Sequence, residues 1–434
     1  MKIAARSTRR GACGMLVALV FSVPSAVAKD LVDVIPNLFG PDGITLAEPT
    51  HDAHFGPESL QALDALSSGI ASGVNQSAVG SSTSSFTFDV QQAVFVPSNE
   101  NLGPLLAERA DTIGKGKLNF AFTFTRLDYK RFDTDSVDDF EGDSLDDLST
   151  VLGHEDVAGD NAFETDTIGV NLDIDLTQNQ FLFFGKYGIT DHWEAGFILP
   201  VIDTEVRATG VATINRDPNN LAQSNFVHNF CVNGVNPRTL PNGAVLPGPC
   251  APNATSSTIG NRNQTVERDQ ESHTGFGDLR VATKYNFLYD RPRWPDMAVI
   301  GGVRFDTGDE DNFTGSGNTG FNGVLVASKR FGIFEPHLNW GAEVTTDGGD
   351  TNFWRLVAGT EVTPFPYLTL SVDVLGLNTF NGEGINDNIW DLGFGAKVNP
   401  WSTLTFLGSI LIPFNQDEGL RTNLTWTLGV EYTF

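Results

Sequence analysis

The sequence predicts an all-β protein, a transmembrane antiparallel up-and-down β-barrel of about 12 strands with an amino-terminal plug-like segment. The last eleven residues, LTWTLGVEYTF, alternate strictly between apolar and polar or small side chains. Such a strand has one apolar face and is long enough to cross a hydrocarbon layer with some tilt. From about residue 114 onward similar strands recur, and the turns between them alternate between two kinds.

The first 28 residues have the pattern of a secretory signal peptide. A basic region at residues 2–10 precedes an apolar run at residues 15–23, and Ala26-Val27-Ala28 ends the segment. This order predicts export and cleavage after residue 28. For a barrel, export predicts insertion into the outer membrane of a Gram-negative cell.

Composition and charge narrow the class further. The chain has 45 Gly and 32 Phe but only 3 Met, which favours a β-rich protein with many turns. Its formal charge of −27 argues against binding to nucleic acid or to anionic lipid. After residue 28, no apolar stretch is long enough for a membrane-spanning helix.

Alternation and turn signals place twelve strands in the chain. They are expected near residues 115–131, 165–189, 192–212, 274–289, 296–307, 319–332, 334–346, 351–363, 367–379, 388–399, 403–415 and 421–434. An even number returns both ends of the barrel to the same side. The alternation slips at Gln178-Asn179-Gln180, and we interpret this as a bulge in one long strand. A turn there would instead require a further strand and give 14.

The turns differ in length and in aromatic content. One kind is short and aromatic, with Trp193, Trp294, Phe334, Tyr367 and Trp401, and the other kind is polar and usually longer. In outer-membrane barrels the short turns face the periplasm and carry an aromatic girdle, while the longer loops face outside. We therefore expect the short turns at the periplasmic end.

Residues 29–113 do not show the barrel pattern. Within them, residues 57–74 have apolar side chains at helical spacing, namely Leu60, Leu63, Leu66 and Ile70, and residues 86–96 suggest a short hairpin. The segment is too short for a substantial independent domain. We interpret it as a lumen plug or a periplasmic segment, and residues 114–434 as the barrel.

Two loops raise specific hypotheses. Residues 132–166 contain thirteen Asp or Glu and no Lys or Arg, but their spacing fits no EF-hand, so a solvated loop is favoured over a metal site. Cys231 and Cys250 lie in the loop at 204–274, and an oxidising envelope favours a disulfide between them. No suitable His is near either cysteine, which argues against a catalytic or metal-binding pair.

Polar side chains on the inward phase of the strands carry both signs of charge. They are Glu194, Asp278, Arg280, Lys284, Arg304, Glu335, His337, Glu343, Arg355, Glu361, Asp373, Asp391, Lys397 and Glu431. The mixture predicts internal salt-bridge ladders that fill a narrow lumen, whereas a strongly ion-selective pore would show mainly one sign.

Residues 105–133, LLAERADTIGKGKLNFAFTFTRLDYKRFD, resemble the beginning of a family of outer-membrane transporters named after a meta-pathway phenol-degradation protein. Ala107, Glu108, Arg109, Ala110, Thr112, Gly114 and Gly116 match its motif, and YGITDHWEAGFILPVI at 187–202 resembles its first periplasmic turn and third strand. The resemblance covers about residues 80–434. It implies a barrel related in kind to long-chain fatty-acid and aromatic-hydrocarbon channels, and it supplies no catalytic or binding residues.

The resemblance therefore predicts an outer-membrane channel for small hydrophobic or aromatic compounds, and not an enzyme. Its expected partners are outer-membrane lipid and lipopolysaccharide, a small hydrophobic ligand, and the barrel-assembly machinery through the terminal Phe434. No cofactor, metal or nucleic acid is expected. A gating element is predicted where the plug would join the barrel, at Ala107, Glu108, Arg109, Gly114 and Gly116.

Three other functions fit parts of the pattern. A general diffusion porin with a free aqueous lumen would need about sixteen or more strands. An outer-membrane hydrolase would need a Ser held by a His; His273 beside Ser272 is the only adjacent pair, and an aspartyl-type protease using loop Asp and His stays open. An autotransporter would display a large repetitive passenger, and residues 29–113 contain no repeats.

Overall fold

The computed structural model of the chain describes most of the barrel and parts of the segment before it. The described residues are 29–46, 54–75, 86–89, 94–97, 106–134, 140–153, 165–218, 228–230, 235–239, 245–249, 263–346, 352–380, 387–401, 404–416 and 418–433. The signal-like segment 1–28, both cysteines of the predicted disulfide, Cys231 and Cys250, and the terminal Phe434 lie outside these residues.

The described residues form one α-helix and nineteen strands. The helix α1 spans Gly56–Asn75, and two short 3₁₀ helices span Leu31–Asp33 and Pro36–Phe39. The first nine strands are β1 (Phe86–Asp89), β2 (Val94–Pro97), β3 (Leu118–Phe132), β4 (Leu148–Leu152), β5 (Thr167–Thr190), β6 (Trp193–Asn215), β7 (Val235–Thr239), β8 (Val245–Pro249) and β9 (Gln264–Phe276). The others are β10 (Arg280–Leu288), β11 (Asp296–Arg304), β12 (Gly320–Ser328), β13 (Phe334–Thr345), β14 (Phe353–Phe365), β15 (Leu368–Thr379), β16 (Ile389–Trp401), β17 (Leu404–Pro413), β18 (Leu420–Thr422) and β19 (Thr425–Thr433).

Twelve of these strands close an antiparallel barrel. Their order around the ring is β3, β5, β6, β10, β11, β12, β13, β14, β15, β16, β17 and β19, and β19 pairs with β3 to close it. β4, β9 and β18 extend the same sheet beyond the ends of β5, β6 and β3, on the side of the longer loops. The prediction of 12 strands is confirmed. The alternative of 14 is wrong, because no turn interrupts β5.

Side chains alternate along the barrel strands between the lumen and the outer surface. On β13, Glu335 and His337 are buried, whereas Phe334 and Leu338 are exposed. The aromatic side chains predicted to ring the short turns are all exposed, namely Trp193, Trp294, Phe334, Tyr367 and Trp401. An apolar outer face with an aromatic girdle is what a barrel presents to lipid.

The bulge predicted at Gln178-Asn179-Gln180 is wrong. β5 pairs residue for residue with β6 from Thr167 to Gly188, and with β3 from Leu176 to Tyr187. The apparent slip in the sequence is a change in what the inward face meets. From Ile168 to Leu176 the inward face of β5 is apolar and packs on other apolar side chains. At Gln178 the inward face becomes polar, and the Gln178 amide donates to Thr204 Oγ1 at 3.1 Å.

The strand predicted at 274–289 is divided into β9 and β10. Asp278, at the break, accepts hydrogen bonds from Gly308 N at 3.0 Å and Ser316 Oγ at 2.6 Å, and it pairs with Arg304 at 2.8 Å. The carboxylate thus binds the loop after β11 at the place where the ladder would have continued. The predicted loops at 132–166 and 204–274 are correspondingly shorter, because β4, β6 and β9 extend into them.

Residues 29–46 and 54–75, which we call the plug, pack inside the end of the barrel that carries the longer loops. Leu63, Leu66 and Ile70 of α1 are buried in one cluster with inward side chains of β5 and β6. Gly210 of β6 allows close approach, since a Cβ atom there would lie 2.7 Å from both Leu38 and Phe39. The helix predicted at 57–74 is confirmed, and β1 and β2 form the predicted hairpin.

Within the described residues, no helix combines the length and the apolar character needed to cross a bilayer.

Candidate functional site

Residues 106–117, which we call the strap, cross the lumen at the end of the barrel that carries the short turns. At one side Leu106 lies against β16, where a Cβ atom on Gly393 would clash with it. On the opposite side of the ring, Asn286 of β10 donates to the carbonyl of Ala110 at 3.0 Å. Ala110 is completely buried against Ala298 and its neighbours. The strap therefore spans the lumen from wall to wall.

Side chains from the wall bind the backbone of the strap. Asn339 of β13 accepts from Glu108 N at 2.6 Å and donates to Glu108 O at 2.8 Å. Ser328 of β12 accepts from Ala110 N at 3.3 Å, and Glu194 of β6 accepts from Ile113 N at 2.7 Å. These bonds satisfy backbone groups that would otherwise be buried without partners.

Two charged side chains of the strap reach different parts of the wall. Glu108 pairs with Lys186 of β5 at 3.1 Å and with Lys284 of β10 at 2.9 Å. Arg109 lies 3.8 Å from both Glu335 and Glu361, on β13 and β14. Because Arg109 and both glutamates are almost fully buried, water screens these charges far less than it would at the surface.

Glycines allow the chain to turn from the strap into β3, the first strand of the barrel. Gly114 and Gly116 have φ values of +86° and +75°, a region that side chains with a Cβ rarely adopt. Gly116 N donates to Gly188 O at 2.7 Å, and a Cβ atom on Gly188 would collide with the carbonyl of Gly114. The five residues predicted as a gating element, including buried Ala107, thus all lie in the strap.

The lumen wall beside the strap contains the mixed charges that the sequence predicts. Lys397 Nζ lies 3.1 Å from Glu431 Oε1, and His337 Nε2 lies 2.6 Å from Asp373 Oδ1. All four side chains are almost completely buried. The expected internal salt bridges are confirmed between Lys397 and Glu431 and at Arg304, which contacts Asp278 and Glu343 at 2.8 Å each.

A cavity of about 210 Å³ lies in the lumen beside Glu108 of the strap. Its apolar lining includes Phe184, Ile198, Ile300, Val324 and Phe353, and its charged lining includes Glu108, Lys186, Glu194, Arg280, Lys284, Glu343 and Arg355. Smaller cavities of about 120 Å³ and 40 Å³ adjoin it, the first sharing Arg355 and the second sharing Arg280. The described lumen is thus a chain of small chambers.

Two candidate sites from the sequence do not come together as reactive groups. Ser272 and His273 are neighbours on β9, where adjacent side chains point to opposite faces of the sheet. Among the described residues, no group of three or more His, Cys, Asp or Glu is placed to hold a metal ion. Apart from Arg280 and Arg355, the inward polar residues instead contact the strap or other polar side chains.

Sequence reasoning missed the uncharged partners of the strap, Asn286, Ser328 and Asn339. All three occupy inward positions of strands that the sequence places correctly. Alternation along the strand could therefore have predicted that they face the lumen. It could not have predicted that they bind the strap, because their partners lie more than 170 residues away in the chain.

Comparison with known proteins gives a likeness in architecture. No family model matches the chain, and no curated protein matches it. Among solved structures, an outer-membrane channel from Pseudomonas putida F1 is 10% identical, with 77% of this chain and 100% of that chain covered at a TM-score of 0.40. The Ralstonia pickettii toluene transporter TbuX is 9% identical, with 74% and 89% covered at a TM-score of 0.32. The CymD monoaromatic hydrocarbon channel is 9% identical, with the same coverage at 0.33. At these low scores we argue function from the residues of this chain alone.

Proposed function

We propose that the protein is an outer-membrane channel for small hydrophobic or aromatic compounds. The observation that carries the proposal is a barrel lumen occupied at both ends by the protein's own chain, with a largely apolar cavity beside the strap. A free aqueous pore would leave this space to water. A lumen divided into small chambers favours passage of compact ligands that bind as they move.

The outer surface supports a location in lipid. Exposed Phe, Leu, Val and Trp side chains face outward along the strands, and aromatic side chains cluster at the short turns. With the short turns at the periplasmic end, the plug faces the cell exterior and the strap faces the periplasm. Lipid and lipopolysaccharide surround such a barrel, and Phe434 is the proposed contact for the assembly machinery.

The domain organisation follows the same scheme. Residues 1–28 form a signal peptide that is removed on export, residues 29–113 are an amino-terminal segment that contains the plug and most of the strap, and residues 114–434 form the barrel. Ligand enters past the plug, occupies the cavity and leaves when the strap moves. Ala107, Glu108, Arg109, Gly114 and Gly116 act as the gate in this scheme, because the first three anchor the strap and the two glycines provide its hinge.

A disulfide between Cys231 and Cys250 is part of the proposal for the outer loops. Closing a loop of about twenty residues stabilises by roughly 3 kcal/mol on the chain-entropy model. Mass spectrometry of peptides prepared without reductant tests it. A cross-linked peptide pair that disappears on reduction is expected, and two free thiols would contradict it.

Electrical recording and uptake together test the channel function. The mature protein in planar bilayers is expected to show rare, brief openings, while cells that carry it take up dilute radiolabelled toluene faster than cells with empty vector. Permeability of the same cells to a disaccharide should not change. A large, steady, ohmic conductance with rapid disaccharide entry would identify a general diffusion porin. Toluene uptake equal to that of the empty-vector cells would also refute the proposal.

A further inference from the structure

Two arginine side chains in the cavity stand out because they have no hydrogen-bond or ion-pair partner among the described residues. Arg280 of β10 and Arg355 of β14 are each partly buried, and both line the cavity of about 210 Å³. Across the described chain, neither guanidinium makes a hydrogen bond or a salt bridge. A charge that is partly removed from water is normally paired, since an unpaired charge loses part of its hydration without compensation.

The charges around the cavity do not balance. Among the described residues, the charged lining together with the nearby pair Arg304 and Asp278 comprises five cations, Lys186, Arg280, Lys284, Arg304 and Arg355, and four carboxylates, Glu108, Glu194, Asp278 and Glu343. The difference, 5 − 4, is one positive charge, although the whole chain carries −27. Direct contacts of the lysines and Arg304 engage all four carboxylates, and Glu343 also attracts both unpaired arginines at longer range. The excess charge therefore resides on Arg280 and Arg355.

The remaining wall of the cavity suits an apolar group of limited size. Aromatic and aliphatic side chains line it, and Arg355 lies 5.4 Å from the centre of the Phe353 ring. A cavity of about 150 Å³ holds a benzene molecule. The volume of about 210 Å³ thus accommodates one aromatic ring with a small substituent, and is too small for a long extended chain.

The two arginines also stand where the chambers meet. Arg280 lines the 40 Å³ cavity near Val74, at the end of the plug helix, and Arg355 lines the 120 Å³ cavity beside Leu106 of the strap. A ligand that moves from the plug toward the strap passes both guanidinium groups. Their planar forks fit a carboxylate, which each can bind through two parallel hydrogen bonds.

We propose that this cavity binds a small aromatic monocarboxylate, with its ring against Phe353 and Val324 and its carboxylate between Arg280 and Arg355. The inference rests on the proposed channel function and adds a specific class, aromatic compounds with one negative charge, to the uncharged compounds that the channel admits. Such a ligand supplies the missing negative charge and leaves the existing salt bridges intact.

The test compares benzoate with benzamide, which has nearly the same shape and no charge. Isothermal titration of the refolded mature protein is expected to show benzoate binding at least about tenfold tighter than benzamide. Arg280→Gln and Arg355→Gln should each weaken benzoate binding by about tenfold or more and leave benzamide binding nearly unchanged. Arg293→Gln, at an exposed short turn, is the matched control and should bind both ligands as the parent does.

The outcomes separate this inference from the channel function. Equal affinity of the unmodified protein for benzoate and benzamide would overturn the monocarboxylate site. This comparison uses no variant, so misfolding of a variant cannot affect it. Benzoate binding that survives both arginine substitutions would overturn the assignment of the site. Either result leaves the channel function standing if toluene uptake is faster than in empty-vector cells, whereas loss of that uptake removes the channel function itself.

Discussion

Replacing Arg109 with alanine removes the cation that holds the strap between two buried carboxylates. The guanidinium lies 3.8 Å from Glu335 and from Glu361, and none of the three side chains is more than 6% exposed. Removing one partner of a buried ion pair costs about 3–5 kcal/mol, because the other charge stays buried and uncompensated. Since both contacts are long for an ion pair, we take about 3 kcal/mol.

The lost interaction free energy changes the equilibrium between the bound and the displaced strap. A loss of about 3 kcal/mol shifts that equilibrium by roughly a hundredfold toward the displaced form. Single-channel recording in planar bilayers measures the shift as a rise in open probability of Arg109→Ala over the parent. Adding Glu361→Gln to Arg109→Ala removes one of the uncompensated charges, and should return the open probability part of the way to that of the parent.

A matched control lies on the same segment. Lys115→Ala also removes one positive charge from the strap, but the Lys115 side chain is exposed, and its recorded strap contact uses its backbone N–H. Its open probability should equal that of the parent. An unchanged open probability in folded Arg109→Ala would refute the reasoning, as would an equal rise in Lys115→Ala.

Three further predictions concern the hinge and the plug. Gly114→Ala should destabilise the folded barrel by about 1–2 kcal/mol, because its φ is +86°, whereas Gly301→Ala, with open space around it, should not; urea unfolding distinguishes them. Gly210→Val should displace Phe39 and raise the rate of proteolysis of the plug, and a rate equal to that of the parent would contradict the packing seen there. Burial raises the pKa of Asp311, as do nearby carboxylates on the plug and on its own loop. Protonation of Asp311 therefore favours the folded contact, and protection of the plug from hydrogen exchange should increase as the pH falls through that pKa. Asp311→Asn should remove this pH dependence.

Much of the fold follows from local pattern. Strands such as β13 and β16 could be placed because the period of two is a property of consecutive residues, and because lipid on one side and a polar lumen on the other keep the two faces distinct. The same pattern gave the inward positions of Glu335, His337 and Glu361. From Ile168 to Leu176 on β5 the inward face is itself apolar, so the pattern no longer distinguishes the inward face from the outward one. A bulge was therefore predicted wrongly in this strand.

The candidate site could be predicted only in part. The strap stood out in sequence through Glu108, Arg109 and its glycines, but nothing local indicates that Glu108 meets Lys284 while Arg109 meets Glu361. Each of these contacts joins residues more than 170 positions apart. Closure of the ring decides them, because it fixes which wall faces the strap.

The sequence by itself determined a barrel of twelve strands, a helix before it, and the face of each strand that turns inward, since these depend on short-range periodicity. The tertiary structure decided the break at Asp278, the crossing of the strap and the cavity in which Arg280 and Arg355 make no hydrogen bond or ion pair with another described residue. Those features depend on distances between side chains of non-neighbouring strands. Such distances exist only once the sheet has closed and its register is fixed.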